Sequence, residues 1–485
     1  MNYTQSVNVI NSFSIIGNGF SMSPADFRFI PEPHTFKKLV KLINKVNTGY
    51  EIGSESYIKK SNLRFIKTNN ISNSFLLDNS RIEYCIPSSK AIEPSDSSLF
   101  LVKDGGTGGL GEVILYKQEE GFKDYISGGI IELKINNEKL KFYILGVLKS
   151  NHFKEYIDNV TPGGSTIRHS KLLALNYNVP FPEQSEVQEL VSLITQNIID
   201  KEQQIREKNK KINSLIHEEL KTHSNIHINY PNSYEIIQSN FRFDTGLYSN
   251  EYKSIKLAIE TYEHGYFQLL DLGDLKSGST PKERVIRDKR YNNLLRQWIT
   301  PTVISNFGTL KRYEFIFNRD KRYNLNKNSL LFINRGNQND LAINYLYKHT
   351  QESQHNQGLY RLEFNEITEK ILFVSCIYNS DIYRKYIGLQ GLGSKMFEIK
   401  KEQLENTLIP NFPKALQKEI AKEYFNEVEE NKDLSLENYL EKEKQRNSKL
   451  GIWQLNMEVF ELKEKLEKII SDIVYAEEIQ ISDYL

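Results

Sequence analysis

The sequence predicts an α+β protein with two tandem mixed α/β domains, separated by long coiled-coil helices that pack on each other. Two observations predict this fold. The chain repeats itself over most of its length, and each copy ends in a helical stretch with apolar residues at heptad spacing. The predicted boundaries are 1–180 for the first domain, 181–225 for a central helix, 226–410 for the second domain and 411–485 for a distal helical region.

The internal repeat rests on matches that keep their order along the chain. FIKTNNISN at 65–73 matches WITPTVISN at 298–306, and SLFLVKDG at 98–105 matches SLLFINRG at 329–336; the offsets are 298 − 65 = 233 and 329 − 98 = 231. NVPFPEQSEVQ at 178–188 returns as LIPNFPKALQ at 408–417. Ordered matches at nearly constant offsets indicate a tandem duplication.

Each copy has the same layout. Short β-branched and aromatic runs, broken by Gly, Asn and Pro, predict strands and loops. Each series of runs ends at a proline element, with Pro180 and Pro182 in the first copy and Pro410 and Pro413 in the second, and a helical pattern follows. Proline suits the first turn of a helix because its missing N–H would have no partner there.

The two helical patterns carry heptad seams. The central one, at 183–220, has apolar residues seven apart at Val191, Ile198, Ile205 and Ile212, and lysines interrupt its companion row. The distal seam runs through Leu455, Val459, Leu462, Leu466, Ile469 and Ile473. Each helix alone would expose an apolar stripe, so we expect the two to pack on each other. The alternative is two separate helical hairpins with no spacing role.

The glycine-rich stretch VKDGGTGGLGEVILYK at 102–117 contains a formal G-x-G-x-x-G match. A dinucleotide site needs that motif between a strand and a helix, whose N-terminus receives the pyrophosphate. Here the loop leads into β-rich EVILYK, and the second copy keeps only Gly336 in the equivalent NRGNQNDLAIN. We therefore expect a strand–loop–strand tip that lets a large partner approach the backbone closely.

A second motif resembles a nuclease. Asp124, Glu132 and Lys134 have the spacing of a metal-dependent nuclease with two carboxylates and a lysine, but the second copy has Arg361-Leu-Glu-Phe364 in place of Glu132-Leu-Lys134. Charged residues alternate on many exposed strands, so we expect no catalytic site there. No adenine-methylation motif, phosphate-binding P-loop or nucleophile–histidine arrangement is evident in the sequence.

Composition limits the class of protein. Hydrophobic residues make up 39% and charged residues 26%, as in globular domains. Neither a signal peptide nor a membrane span is evident, so we expect a cytoplasmic protein. The only cysteines, Cys85 and Cys376, are too few for a disulfide framework or a zinc site. His223 and His227 stand four apart with no carboxylate or cysteine beside them, and we expect a polar loop rather than a metal site there.

Charge is unevenly distributed. Residues 278–410 contain 21 Lys and Arg against 13 Asp and Glu, or 21 − 13 = +8, whereas residues 414–485 contain 11 against 17, or 11 − 17 = −6. A basic domain followed by an acidic helical region favours a polyanion at one surface and a protein at another. Ordinary surface variation is the alternative.

Taken together, the chain resembles the specificity subunit of type I restriction–modification systems. The resemblance lies in two domains in tandem, each ending in a proline-marked helix of the PxPxxxxxQ kind, with Gln188 in the first copy and Gln417 in the second. It also includes the loop LVKDGGTGGLGEV and the segments GGSTIRHSKL at 163–172 and GLGSKMFEIKK at 391–401. Two features depart from that pattern: a longer lead-in at 1–50 and a polar insertion at 431–449.

The resemblance implies a chain without catalytic activity and without a metal or cofactor of its own. Such a subunit reads a split target in double-stranded DNA, one half with each target-recognition domain, while the helices set the unread spacer. It recruits two DNA adenine methyltransferase subunits, which use S-adenosylmethionine, and optionally restriction subunits that use ATP and Mg. The alternatives are the specificity subunit of a type II nuclease–methyltransferase system and a stand-alone protein that occupies methyltransferase subunits.

DNA readers are expected at loop tips, where Asn, Gln, Arg, Thr and Ser contact base edges, and Lys and Arg bind phosphates. In the first domain the candidate readers are Lys67, Thr68, Asn69, Lys103, Asp104 and Thr107. In the second domain they are Thr300, Thr302, Asn334, Arg335, Asn337 and Gln338. The candidate phosphate ligands are Arg168, His169, Lys311, Arg312 and Lys395.

Overall fold

The computed structural model describes residues 30–79, 82–106, 109–162, 166–221, 236–237, 242–280, 285–286, 296–317, 324–350 and 352–485. The chain divides into two compact units. Unit 1 comprises Met1–Gln203, Glu430–Asn447 and Val459–Leu485, and unit 2 comprises Gln204–Glu429 and Ser448–Glu458. Within the described ranges, no helix is long and apolar enough to cross a membrane.

The first copy lies in unit 1 and forms strands β1 to β12. In chain order these are Phe36–Lys38, Lys45–Thr48, Tyr57–Ile58, Leu63–Ile66, Glu83–Cys85, Leu99–Val102, Asp104–Gly105, Val113–Leu115, Lys123–Ile126, Ile130–Lys134, Arg168–His169 and Asn178–Pro180. They build two four-stranded sheets, ordered β2-β10-β6-β8 and β3-β5-β4-β9, and two strand pairs, β1-β12 and β7-β11. The pair β4–β9 is parallel.

The second copy lies in unit 2 and forms β13 to β24. These are Tyr266–Gln268, Lys276–Ser277, Val285–Ile286, Arg296–Ile299, Phe315–Ile316, Asn328–Ile333, Arg335–Gly336, Asn344–Tyr347, Ser353–His355, Leu359–Phe364, Phe397–Glu398 and Leu408–Pro410. Their sheets, β14-β22-β18-β20 and β15-β17-β16-β21, and their pairs, β13-β24 and β19-β23, repeat the order of the first copy strand for strand.

The two copies also share strand register. Leu99 lies opposite Leu115 on one side and Leu133 on the other, while Leu330 lies opposite Leu346 and Leu362. The single parallel pairing of the second sheet recurs as β16–β21. Because a register slip of one residue would turn every side chain to the other face, agreement at this level shows that both copies fold to the same plan.

Helices connect and follow the sheets. In the described residues these are α1 Glu138–Leu148, α2 Asn151–Val160, α3 Ser185–Leu220, α4 Asn250–Glu260, α5 Glu369–Asn379, α6 Asp381–Gly388, α7 Lys401–Glu405, α8 Lys414–Tyr424, α9 Tyr439–Asn447 and α10 Ile452–Tyr475. The corners α1–α2 and α5–α6 are equivalent. Ser150 and Ser380 each accept a hydrogen bond from a backbone N–H in the first turn of the following helix, and each donates one to a carbonyl of the preceding helix.

The glutamine of each proline element closes the start of its helix. Gln188 Nε2 donates to the Pro182 carbonyl at 2.8 Å, and Gln417 Nε2 donates to the Phe412 carbonyl at 2.6 Å. The spacing of the PxPxxxxxQ element therefore reflects local geometry, because a glutamine one turn into the helix reaches back to the loop that leads into it.

Helix α3 has 36 residues; its part up to Gln203 contributes to the core of unit 1, and its part from Gln204 contributes to the core of unit 2. In unit 1, α3 contributes Val187, Val191, Ile194 and Ile198 to a cluster that also contains Val459, Leu462, Leu466 and Ile469 of α10. In unit 2, Ile205, Ile212, Ile216 and Leu220 of α3 join a cluster with Ile420 and Leu455. The predicted α+β class is confirmed, with heptad residues of the two helical regions sharing the core of unit 1.

The interrupted companion row of α3 has a structural cause. Lys201 is buried, lies 3.4 Å from Glu443 and donates to Asn447, and both partners belong to α9. Asn197 donates to Glu443 at 3.1 Å. The polar insertion at 431–449 therefore forms a helix that supplies the counter-charge for a lysine on a heptad seam. Lys208, in unit 2, pairs with Glu423 of α8 at 3.0 Å.

The Lys201–Glu443 pair gives a testable prediction. Lys201→Met should lower the free energy of unfolding by about 3 kcal/mol, because it leaves the Glu443 carboxylate buried without its ammonium partner. Adding Glu443→Gln should restore part of that loss, because the amide keeps hydrogen-bonding capacity without the charge. Urea denaturation of the two single variants and the double variant measures the coupling. Additive effects in this cycle would contradict the pairing.

Candidate nucleic-acid interface

The glycine-rich loop connects two strands of one sheet. It leaves β6 after Val102 and enters β8 at Val113, and these strands pair antiparallel. No helix follows the loop, so the geometry that a bound pyrophosphate needs is absent from its described residues. Gly111 has φ of +77°, and a Cβ there would lie 3.1 Å from the Ile157 side chain. This glycine therefore serves the backbone turn. Thr107 lies outside the described residues.

Two of the loops predicted to read DNA meet in the first copy. The backbone N–H of Lys103 donates to the Gly129 carbonyl at 2.9 Å, and a Cβ on Gly129 would lie 2.7 Å from the Thr68 methyl. A surface pocket of about 490 Å³ results, which we call the first-copy pocket; its lining residues are Glu51, Lys67, Thr68, Asp104, Ser127, Gly128 and Gly129. The pocket therefore brings together candidates that lie more than 30 residues apart, since 104 − 67 = 37.

Two charged side chains of this pocket, Lys67 and Asp104, are paired within the chain. Lys67 Nζ lies 2.6 Å from Glu83 and 4.3 Å from the centre of the Tyr57 ring. Burial opposes the charged form, but the hydrogen bonds to Glu83 and Tyr57 raise the pKa of the Lys67 ammonium. Asp104 lies 2.7 Å from Lys103 Nζ and 3.0 Å from His169 Nδ1.

Uncharged groups of the same loop are open to solvent. Asn69 is exposed and Thr68 is half-buried at the pocket wall. Their amide and hydroxyl can donate and accept hydrogen bonds, as reading a base edge requires. Of the first-copy candidates, these two are the best placed to read bases.

Arg168 has structural partners. Its guanidinium donates to Asp158 Oδ1 at 2.8 Å, to the Asp158 carbonyl at 2.6 Å and to the Thr161 carbonyl at 3.0 Å. These bonds join β11 to the C-terminal end of α2. Its assignment as a phosphate ligand stays a prediction, and its present contacts describe a brace for the segment that carries His169.

The second copy reproduces the backbone frame of the pocket. The Asn334 N–H donates to the Gly358 carbonyl at 3.0 Å, as Lys103 does to Gly129. The Asn356 N–H donates to the Ile299 carbonyl at 3.1 Å, as Ser127 does to Ile66 at 2.9 Å. Loops from the same three places in the fold therefore converge in both copies.

Different side chains line that frame in the second copy. The hydroxyls of Thr300 and Thr302 are hydrogen-bonded at 2.9 Å, with Thr302 exposed and Thr300 buried. Arg312 donates to Glu314 Oε1 from Nε at 2.9 Å and from Nη2 at 2.7 Å, and its Nη2 lies 3.5 Å from the Thr302 hydroxyl. Lys311 is exposed.

The remaining candidates of the second copy divide into buried and exposed groups. Asn334 is 4% exposed and donates its amide to the Gln357 carbonyl at 3.0 Å, so it holds the frame. Gln338 donates to the Gly388 carbonyl at 3.1 Å, and exposed Asn337 donates to Asp340 at 2.7 Å. Lys395 is exposed, ahead of β23.

The two copies present opposite charges at one equivalent place. On the pair β7–β11, Asp104 lies opposite His169, whereas on β19–β23 Arg335 lies opposite Glu398, 3.1 Å away. The carboxylate on the loop strand of one copy is thus replaced by a guanidinium in the other. The two surfaces therefore share a backbone arrangement and differ in charge.

The two carboxylates of the nuclease-like motif, Asp124 and Glu132, are hydrogen-bonded to neighbouring residues. Both oxygens of Asp124 are bound by Arg64, at 2.6 and 2.8 Å, and one also accepts from the Tyr116 hydroxyl at 2.8 Å. Glu132 accepts from the Ser95 N–H and the Asn47 amide. Each carboxylate is saturated by its own neighbours. Among the described residues no group of three His, Cys, Asp or Glu could hold a metal ion, and His223 and His227 lie outside those residues.

Sequence reasoning missed the third loop of the pocket. Ser127, Gly128 and Gly129 form it in the first copy, and residues 356–358 occupy the same place in the second. The signal was present in the repeat, because Gly129 and Gly358 stand at the offset 358 − 129 = 229. Glu51, whose carboxylate accepts a hydrogen bond from the Gly128 N–H at 3.0 Å, had no such signal.

Comparison with known proteins shows a family match over part of the chain. Residues 261–438 match the type I restriction modification DNA specificity domain. This match confirms the resemblance predicted from the sequence. The chain is also similar to the crystal structure of a type I restriction-modification system S subunit from M. genitalium, with 13% identity, a TM-score of 0.40 and coverage of 92% of this chain and 96% of that chain. A second similar structure, the HsdS subunit from Thermoanaerobacter tengcongensis, has 12% identity, a TM-score of 0.27 and coverage of 92% and 97%.

The match to the specificity domain covers all nine second-copy candidates, from Thr300 to Lys395. The first copy lies outside the matched segment but repeats its strand order and register. The strand order and register of the second copy therefore also occur in the part of the chain that the family model does not match.

The structural role of Arg168 can be tested by comparing alanine substitutions at Arg168 and Lys395. Arg168→Ala should lower the free energy of unfolding by about 1–3 kcal/mol, because two carbonyls and a carboxylate lose a charged donor. Lys395→Ala should leave stability unchanged, because this side chain is exposed. Urea denaturation measures both. Equal stability of the two variants would show that the Arg168 bonds contribute nothing and that its guanidinium is available to DNA.

Proposed function

We propose that this chain is the DNA-recognition subunit of a type I restriction–modification enzyme and that it reads a target of two parts. The observation that carries the proposal is the pair of equivalent loop frames, one in each copy, lined by different side chains. Equivalent frames support a common mode of docking on DNA, and different linings support different base sequences. The family match of residues 261–438 supports the same role.

Base reading falls to exposed polar groups on these frames. Asn69 and Thr68 in the first copy, and Thr302 and Arg335 in the second, reach base edges in the major groove. Lys311 and Lys395 are exposed and bind phosphates, which gives affinity without sequence preference. Arg168 and Asn334 hold the loops and act on DNA through them.

The chemistry belongs to partners. The chain recruits DNA adenine methyltransferase subunits, two in number because the recognition unit is duplicated, and ATP-dependent restriction subunits complete the restriction enzyme. S-adenosylmethionine, ATP and Mg bind to those partners. The chain's own task is to bring the methyltransferase to one sequence.

A first prediction tests this division of labour. The purified chain should transfer no methyl group from S-adenosylmethionine to DNA, and adenine methylation should occur only when methyltransferase subunits are added. The measurement is incorporation of labelled methyl groups into DNA with each protein alone and with both. Methylation by the homogeneous chain alone would overturn the proposal.

A second prediction tests the bipartite reading with a matched pair. Asn69 and Thr302 are exposed and stand at equivalent positions, since 302 − 69 = 233. Asn69→Ala should lower discrimination about tenfold at one half of the target, and Thr302→Ala should do so at the other half, because one base contact contributes about 1–3 kcal/mol. Sequencing of methylated sites from a randomised DNA library, with partner subunits present, measures both halves at once.

Each variant is the control for the other. Loss at the same half-site in both would mean that the two copies do not read separate halves. Uniform weakening with unchanged preference would mean that these residues bind the DNA backbone.

A further inference from the structure

The turn that follows the first reading residues is held by charged side chains from helices. Lys149 Nζ, at the end of α1, donates to the carbonyls of Ser72 at 2.9 Å and Ser74 at 2.8 Å. Lys463 Nζ, on α10, donates to the Asn73 carbonyl at 3.2 Å. Three successive carbonyls of the chain thus accept from ammonium groups, and such charge-assisted bonds are among the stronger hydrogen bonds.

The donors of the same turn meet a carboxylate on α3. Glu202 Oε2 accepts from the Phe75 N–H at 2.8 Å and from the Ser74 hydroxyl at 2.6 Å, while its Oε1 lies 2.9 Å from Lys463 Nζ. The Phe75 ring lies between two cations, 5.4 Å from Lys149 Nζ and 5.3 Å from Lys463 Nζ. Glu202 and Lys463 therefore bind both the turn and each other.

Glu112 is the carboxylate nearest to Lys149 in this cluster. Glu112 lies 3.1 Å from Lys149 and 3.0 Å from Lys154. Burial opposes ionisation of Glu112, but the two ammonium groups lower the pKa of its carboxyl to about 2. Burial lowers the pKa of the Lys149 ammonium to about 8, and the neighbouring Glu112 carboxylate opposes this fall. Glu112 is therefore the counter-charge that favours the protonated Lys149, whose ammonium donates to the turn.

The second copy holds the equivalent turn with neutral groups. The Tyr424 hydroxyl, at the end of α8, donates to the Gly308 carbonyl at 2.7 Å. Asn456, on α10, accepts from the Leu310 N–H and donates to the Leu310 carbonyl, both at 3.2 Å. The helix that follows each copy and the distal helix α10 therefore supply the tether in both copies, although the residues and their charges differ.

We propose that Glu202 and Lys463 are positioning residues for base reading by the first copy, and that Tyr424 and Asn456 are their counterparts in the second. The proposal rests on the proposed function. Thr68 and Asn69 precede the tethered turn by a few residues, so a change at the tether moves them relative to the frame of β4 and β9. None of the four positioning residues needs to touch DNA.

Two measurements on the full chain test this role. Glu202→Ala should accelerate amide hydrogen exchange in residues 72–76 and leave residues 304–310 unchanged, because the Phe75 N–H loses its acceptor. In the complex with methyltransferase subunits, it should lower discrimination at the first half-site about tenfold and change the second less than twofold. Tyr424→Phe should give the reverse pattern in both measurements.

Controls separate positioning from general destabilisation. Glu202→Gln keeps the side-chain volume if the alanine variant folds poorly, and Lys463→Arg, which retains a donor for both Glu202 and Asn73, should restore wild-type discrimination where Lys463→Met does not. A general loss of stability would weaken both half-sites equally, and that result would overturn the proposal. Faster exchange at 72–76 with unchanged base preference would also overturn it, because the tether would then have no effect on reading.

Failure of the proposed function is seen separately. A wild-type complex that methylates no two-part sequence would refute bipartite recognition before any substitution is made, and the positioning role would fall with it. Selective methylation by wild type, with no half-specific effect of Glu202 or Tyr424 variants, would refute only the positioning role.

Discussion

Helix α3 must bury an apolar stripe along 36 residues, and much of the chain is arranged to cover it. A helix of this length would expose that stripe to water if it stood alone. Its first half is covered in unit 1 by α10 and the first copy, and its second half in unit 2 by α8 and the second copy. Lys201 interrupts the apolar stripe, and its buried ammonium would lack a partner if only apolar residues surrounded it. Helix α9 provides Glu443 and Asn447 as its partners. The polar insertion is thus required by the helix that it covers.

The duplication allows structure and specificity to change separately. Main-chain bonds set the loop frame of each copy, since Lys103 and Asn334 both donate their N–H to a glycine carbonyl. A backbone bond survives replacement of the side chain, so lysine in one copy can stand where asparagine stands in the other. Charge on the neighbouring strand pair reverses from Asp104 to Arg335 without any change in register. Two readers of different sequences can therefore share one fold.

Much of the fold was predictable, because repeats and periodicity are properties of the sequence itself. The duplication predicted that strands at 98–105 and 329–336 are equivalent, and their registers agree. The partners of charged side chains could not be predicted in this way. The hydrogen bond from Arg168 to Asp158 had no local signal in the sequence, and Glu443 lies 242 positions from Lys201, as 443 − 201 shows. Such pairs depend on tertiary packing, which a single sequence encodes without local signals. The loop at Gly129 is a different case, because its repeat with Gly358 was present in the sequence and was overlooked.

Some helical residues also bind the turn after Asn69, and this double role limits which substitutions the helices and the loop can accept. Glu202 lies on α3 and binds the turn after Asn69. Lys463 lies on α10 and binds both that turn and Glu202. A substitution on the buried side of these helices therefore acts on stability and on the geometry of the loop together. The ionic tether of the first copy binds five backbone or hydroxyl groups, whereas the neutral tether of the second depends on one tyrosine and one asparagine. Removing Lys463 would leave the Glu202 carboxylate without its ammonium partner, which costs more than losing a hydrogen bond between neutral groups. The first copy should accordingly accept fewer changes at its helical contacts, and its reading loop can vary freely only ahead of the turn, at residues such as Thr68 and Asn69.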